Sequence, residues 1–318
     1  MKTFGEKPTR AGFGDALVAL GKMNPNVVVF DADLAKSTTT GWFAEKYPER
    51  FFDAGIAEQN MLGMAAGMSL MGKIPFVSTY GVFVAGRAWD QIRTTVCYSK
   101  LNVKIGGAHG GVSVGPDGAT HQALEEITTM RVLPNMTVLS PCDYHEAYKA
   151  TLAAASCPGP VYLRFGRENV PVITQPDDPF ELGQAITWRN GQDVALIATG
   201  HMLYHALLAA EQLEQEGIQA LVLNVHTIKP IDRPAVVKAA RTCGCVVTCE
   251  EHQITGGFGG AVAEVLVNEL PTPMRFIGVR DRFGESGQPN ELFDEFGLSA
   301  GFIVQAAKEA MAAAGKHK

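Results

Sequence analysis

Short β-branched runs alternate with helix-like segments along the whole chain, and that alternation leaves few folds open. Val27-Val28-Val29-Phe30, Phe51-Phe52, Ile74-Pro75-Phe76-Val77-Ser78-Thr79, Val103-Lys104-Ile105, Met136-Thr137-Val138-Leu139 and Val161-Tyr162-Leu163 read as strands. Residues 12–22, 57–71, 89–99 and 145–155 between them carry helical patterns. Such alternation lays the strands in parallel, with helices on both faces of the sheet. Strands covered on both faces explain runs that are continuously apolar rather than alternating. A second series follows residue 190. It holds the strands Val194-Ala195-Leu196-Ile197-Ala198, Leu221-Val222-Leu223-Asn224-Val225 and Val246-Val247-Thr248-Cys249, with helices near 202–216, after Pro230 and from Gly259. The prediction is an α/β protein of two consecutive domains, each a mostly parallel β-sheet flanked by helices. Pro171, Pro176, Pro179 and Asp177-Asp178 mark a linker near 171–185. The domains are therefore placed at 1–185 and 186–318.

Composition removes several function classes. Lys+Arg 27 against Asp+Glu 33 gives a net charge of −6, without the basic surplus that phosphate neutralisation needs, so nucleic acid is not an expected partner. The most apolar stretch, residues 61–71, is too short to span a bilayer, and the N-terminus lacks an apolar signal core. Six cysteines without paired spacing read as free thiols of a cytoplasmic protein. Cys243, Cys245 and Cys249 lack a matching His or Cys pair, so they suit a thiol-lined strand better than a zinc site, and no metal ligands are assigned to this chain.

The segment from Phe51 to Met68 is the most informative. A strand runs into a helix with Glu58 in its first turn, and no charge follows until Lys73. A helix without a polar face is expected to be buried all round. Gly63 and Gly67 share a face and would let another backbone approach. Burial would raise the Glu58 carboxyl pKa, making it able to pass a proton to a heteroaromatic nitrogen. The helix N-terminus pulls the other way, and Gly55-x-x-Glu58 also fits an ordinary cap. Tyr80 and Phe83 close the next strand, at the edge where α/β sheets bind ligands; two core aromatics are the plainer reading. After the strand at Val103 comes Gly106-Gly107-Ala108-His109-Gly110-Gly111-Val112-Ser113-Val114-Gly115-Pro116-Asp117-Gly118-Ala119-Thr120-His121-Gln122. A glycine-rich loop of this length is costly to order. His109, Asp117 and His121 suit hydrogen bonding to a polyol or proton transfer.

Three strings together resemble the transketolase family of thiamine diphosphate enzymes. They are Asp53-Ala54-Gly55-Ile56-Ala57-Glu58-Gln59-Asn60, Thr79-Tyr80-Gly81-Val82-Phe83 and Gly115-Pro116-Asp117-Gly118-Ala119-Thr120-His121-Gln122, in that order. Thr199-Gly200 and Glu250-Glu251-His252-Gln253-Ile254-Thr255-Gly256-Gly257-Phe258-Gly259 extend the likeness to the family's C-terminal domain. The resemblance implies a pyrimidine-binding domain followed by a transketolase C-terminal domain. It covers only the second half of a full transketolase. The Gly-Asp-Gly stretch and downstream Asn that hold the diphosphate through Mg²⁺ have no counterpart; Gly14-Asp15-Ala16 is the nearest string, on the wrong element. The chain thus resembles the small subunit of a split transketolase. The implied partner is a large N-terminal subunit carrying Mg²⁺, the implied assembly an α2β2 heterotetramer.

The resemblance also implies roles. Glu58 matches the acid that hydrogen-bonds N1′ of the aminopyrimidine and favours its imino tautomer. Tyr80 and Phe83 match aromatic positions packing on that ring, and Gly86 stands where a third aromatic is common. Asp33 matches a residue near the cofactor. His109 and His121 match catalytic substrate-side histidines, and Asp117 the acid reading the sugar's C2 hydroxyl. Arg10, Ser37 and Arg167 match positions that grip a sugar phosphate. Pro116 replaces the usual Glu before Asp117, and Gly110-Gly111 follows His109; both depart from the pattern around the acceptor sugar. The implied activity is transfer of a two-carbon ketol unit from a ketose phosphate to an aldose. The alternatives are the E1 β-subunit of a 2-oxo acid dehydrogenase, a 1-deoxyxylulose-5-phosphate synthase, which carries both halves in one chain, and a non-catalytic subunit keeping the fold. Gly256-Gly257-Phe258-Gly259-Gly260 reads as a tight strand-to-helix turn rather than a dinucleotide loop.

Overall fold

The continuous apolar runs become central parallel strands in the computed structural model, which describes residues 2–316. The strands of the first part are β1 (Glu6–Pro8), β2 (Val27–Asp31), β3 (Phe51–Asp53), β4 (Ile74–Tyr80), β5 (Lys104–Ala108), β6 (Thr137–Leu139), β7 (Val161–Arg164) and β8 (Asn169–Pro171). Those of the second are β9 (Ile186–Arg189), β10 (Val194–Ala198), β11 (Ala220–Asn224), β12 (Thr227–Lys229), β13 (Val246–Gln253) and β14 (Met274–Val279).

A seven-stranded sheet runs β12-β6-β7-β5-β4-β2-β3. Its neighbours are parallel except β12, which pairs antiparallel with β6. The register sets Asp31 beside Asp53 and Ser78, and Tyr80 beside Ala108. These residues therefore line the carboxyl edge, where open α/β sheets bind ligands. A five-stranded sheet runs β14-β13-β10-β11-β9 and is parallel except for β9. The two mostly parallel sheets with flanking helices match the predicted class. One apolar cluster joins them: Val28, Phe30, Val77 and Ile105 of the first sheet share it with Ala195, Ile197 and Val246 of the second.

Three features depart from the sequence reading. The helix Glu58–Leu70 is not buried all round within this chain. Glu58, Met61, Leu62, Ala65 and Ala66 face the core. Gly63 and Gly67 face open space, and Ile56, Leu70 and Met71 are 75%, 73% and 80% exposed. Uniform apolarity marked a surface that this chain leaves bare. Residues 91–97 form a wide π-type turn rather than an ordinary α-helix. The proline-rich stretch is tied down rather than loose. Buried Asp143 caps the helix Tyr144–Ser156 by accepting from Glu146 N at 3.1 Å. It also accepts from Ile173 N at 2.8 Å, Thr174 N at 2.6 Å and Thr174 Oγ1 at 2.6 Å.

Candidate functional site

β4 ends at Tyr80 and turns directly into the helix Gly81–Arg87, so Tyr80 and Phe83 share one aromatic wall with ring centroids 5.5 Å apart. His109 follows the end of β5 and stacks on Tyr80 at 3.9 Å. It holds φ at +60°, a left-handed backbone that a non-glycine residue adopts at a cost and that clusters at functional sites. His121 meets both Tyr80 and Phe83 edge-on at 5.6 Å, and its Nδ1 shares a hydrogen bond with Thr120 Oγ1 at 2.8 Å. Burial, aided by the positive Arg10 and Arg167, pushes the His109 pKa down to about 3. Its ring is therefore neutral at ordinary pH, and its Nδ1 is buried without a hydrogen-bond partner among the described residues.

Glu58 opens its helix and is 4% exposed. Its Oε1 accepts from Arg87 Nη1 at 2.7 Å, while no partner engages Oε2 among the described residues. The Arg87 guanidinium also lies 4.1 Å over the Phe83 ring. Carboxylate, guanidinium and aromatic wall thus form one continuous surface. The sequence reading missed Arg87. Its signal was the spacing Phe83-x-x-x-Arg87, which puts the two side chains on one helical face.

A second cluster gathers the anion-gripping candidates. The antiparallel ribbon of β1 and β8 pairs Glu6 with Pro171 and Pro8 with Asn169. Arg10 follows that ribbon's first strand and Arg167 precedes its second, so residues far apart in sequence converge. Gly166 N donates to Thr9 Oγ1 at 2.8 Å across the junction. Arg10 Nη1 donates to the Ser37 carbonyl at 2.9 Å. Asp31 fixes that segment. Its carboxyl accepts from Leu34 N at 2.6 Å and from the Thr38 and Thr40 hydroxyls at 2.7 Å, and burial pushes its pKa up to about 6. Arg167 Nη1 pairs with Asp117 at 2.7 Å and its Nε with Glu168 at 3.1 Å. Burial, then the charge of Arg167, lowers the Arg10 pKa.

Asp33 is placed differently. It holds φ at +61°, and its N–H donates to Asp53 Oδ1 at 3.0 Å; no hydrogen bond takes its carboxylate to the rings. The turn at Gly256–Gly260 is filled by a carboxyl group of its own chain: Glu250 accepts from Phe258 N at 2.6 Å and Gly259 N at 2.8 Å. A cavity of about 610 Å³ lies elsewhere, lined by Arg93, Thr94, Cys97, Tyr98, Leu133, Pro134 and Asn135, with no acid or imidazole in its wall.

Fold and site together define a class: two consecutive parallel-sheet units, with a carboxylate beside an aromatic wall at the carboxyl edge of the first. Models of two families match the chain, "Transketolase, pyrimidine binding domain" over residues 6–172 and "Transketolase, C-terminal domain" over residues 183–303. A putative transketolase C-terminal section of Methanocaldococcus jannaschii is 46% identical over 96% of each chain. A 6-deoxy-6-sulfo-D-fructose transketolase subunit of Clostridium sp. is 42% identical over 94% of this chain and 93% of its own. A solved split-gene transketolase, described as an inactive β4 tetramer, superposes with a TM-score of 0.90 at 50% identity. The match covers 96% of this chain and 98% of that one. The chain belongs to the transketolase family and corresponds to its C-terminal section. The family's pyrimidine-binding domain implies dependence on thiamine diphosphate. No described helix is long and apolar enough to cross a membrane.

Proposed function

We propose that this chain is the small subunit of a transketolase and acts with a large subunit that carries the diphosphate- and Mg²⁺-binding half. The observation that carries this reading is the juxtaposition of buried Glu58 with the Tyr80–Phe83–His121–His109 wall. A flat heteroaromatic ring with a protonatable nitrogen fits there once the Arg87 guanidinium moves aside: rings to pack on, and a carboxylate to hold the nitrogen. Thiamine diphosphate, when bound, supplies the carbon nucleophile and the electron sink.

The chain's own residues do the rest. Glu58 hydrogen-bonds the pyrimidine N1′ and holds the proton there. Tyr80 and Phe83 clamp the ring and exclude water. Burial keeps His109 neutral, suiting it to hydrogen-bond a sugar oxygen, and His121 moves a proton at the hydroxyl beside it. Asp117 accepts from the C2 hydroxyl, and Arg10, Arg167 and the Ser37 segment grip the sugar's terminal anion. Asp33 shapes the turn beside Asp53. Forked guanidinium donors suit either a phosphate or a sulfonate, and the sulfosugar named for the Clostridium subunit falls in that class. The proposed reaction is transfer of a two-carbon ketol unit from a ketose bearing a terminal anion to an aldose. The proposed assembly is an α2β2 heterotetramer in the cytoplasm, with the bare face of the helix Glu58–Leu70 inside it.

The test is reconstitution with the native partner and assay of ketol transfer across ketose phosphates and a sulfoketose. Glu58→Gln should lower turnover at least about a hundredfold, the lower range for a positioned proton-transfer group. Near wild-type turnover would refute the role of Glu58. Carbon dioxide from pyruvate, rather than ketol transfer, would refute the reaction.

A further inference from the structure

The glycine-rich loop has a buried base and an exposed tip. Residues 104–115 are buried, whereas Pro116, Asp117, Ala119 and Thr120 are exposed. The base rests on the second sheet's unit. Glu251, at the carboxyl end of β13 and 4% exposed, accepts from Ser113 N at 2.6 Å. The contact leaves no room for a side chain at Gly111: a Cβ there would meet the Glu251 carboxyl carbon at 2.2 Å, and its φ of +97° also excludes most residues. Gln122 closes the loop's other end, with Nε2 donating to Val112 O at 3.0 Å and to Glu285 O at 2.8 Å. Ser286 abuts Gly118 between them. Glu251 is itself fixed, since Arg164 Nη2 donates to its carbonyl at 2.6 Å while Arg164 Nε pairs with buried Glu126.

We propose that Glu251 is a positioning residue for sugar recognition: by holding Ser113 it sets where Asp117 and His121 stand. The second unit thereby takes part in substrate selection without touching the sugar. This rests on the reading of Asp117 and His121 as sugar-facing. An error of an ångström in such a loop is enough to cost catalysis heavily.

Glu251→Ala, Glu251→Asp and Glu251→Gln are compared in the reconstituted complex. Asp falls one methylene short of Ser113 N, whereas Gln keeps an acceptor oxygen in place. Ala should raise the KM for the ketose about tenfold, leave the affinity for thiamine diphosphate unchanged and speed amide exchange across residues 110–122 selectively. Asp should lie between, and Gln should restore both readouts. An Ala complex with wild-type KM and wild-type exchange overturns the proposal. If Ala does not assemble, wild-type values for Asp overturn it equally. A wild-type complex that transfers no ketol unit refutes the functional reading instead, and loop exchange still decides the role of Glu251.

Discussion

Arg87 stands where the proposed cofactor ring needs to be, and its removal has a calculable effect. Its guanidinium makes two contacts the ring would replace: the 2.7 Å ion pair to Glu58 and the 4.1 Å approach to the Phe83 face. The Arg87 side chain is 49% exposed, so solvent weakens both. A half-exposed pair contributes about 0.7 kcal/mol, and a guanidinium over an exposed phenyl face a similar amount. Together they come to about 1.4 kcal/mol, a factor of about ten in a binding constant. Arg87→Met keeps an apolar stem on the ring and abolishes the ion pair. Calorimetric titration of thiamine diphosphate into the reconstituted complex should then show binding about tenfold tighter than wild type. Weaker binding would refute the reasoning. It would mean that the guanidinium holds Glu58 in place for the ring rather than competing with it.

Two further perturbations test the scaffold. Burial raises the Glu250 pKa to about 8 from the ordinary carboxyl value of 4.5, so between those limits the folded state binds the extra proton and stability falls as pH rises. Thermal melts from pH 5 to 8.5 should show that decline, and Glu250→Gln should flatten it; an unchanged slope rejects the assignment. Asp143→Ala strands the amides of Ile173 and Thr174 and removes a helix cap. At about 1.5 kcal/mol for each of the two stranded amides and about 1 kcal/mol for the cap, with the Thr174 hydroxyl free to turn elsewhere, the loss is near 4 kcal/mol. Urea unfolding measures it, and a loss below about 1 kcal/mol would show that the stretch after β8 is held by other contacts.

The central strands were legible because burial on both faces makes their sequences continuously apolar. β4 and β10 read directly as Ile74-Pro75-Phe76-Val77 and Val194-Ala195-Leu196-Ile197. β12 was not legible. Thr227-Ile228-Lys229 is three residues long, mixed in polarity and paired antiparallel with a strand nearly ninety positions earlier, so no local period marks it. Tyr80 and His109 meet because each stands at the end of a parallel strand; Phe83, read as closing the strand, lies instead in the first turn of the helix Gly81–Arg87, and His121 comes back on the glycine-rich loop. The meeting of Arg10 with Arg167 was not legible, because it depends on pairing between β1 and β8 at opposite ends of the first unit. Which face of the helix Glu58–Leu70 this chain covers itself could not be read from sequence: an apolar side chain looks the same whether its own chain covers it or another does.

The antiparallel contribution of β12 has a practical corollary for dissecting the molecule. Lys229 Nζ also reaches back to the Arg131 carbonyl at 2.8 Å, at the end of the helix Glu126–Arg131 that precedes β6. Cutting the gene at the apparent junction near residue 185 would strip β6 of its outer neighbour and leave a raw edge open to stray strands from other molecules. The first unit expressed alone would be prone to clump. Any working fragment of it has to carry Thr227–Lys229 along, grafted or supplied in trans.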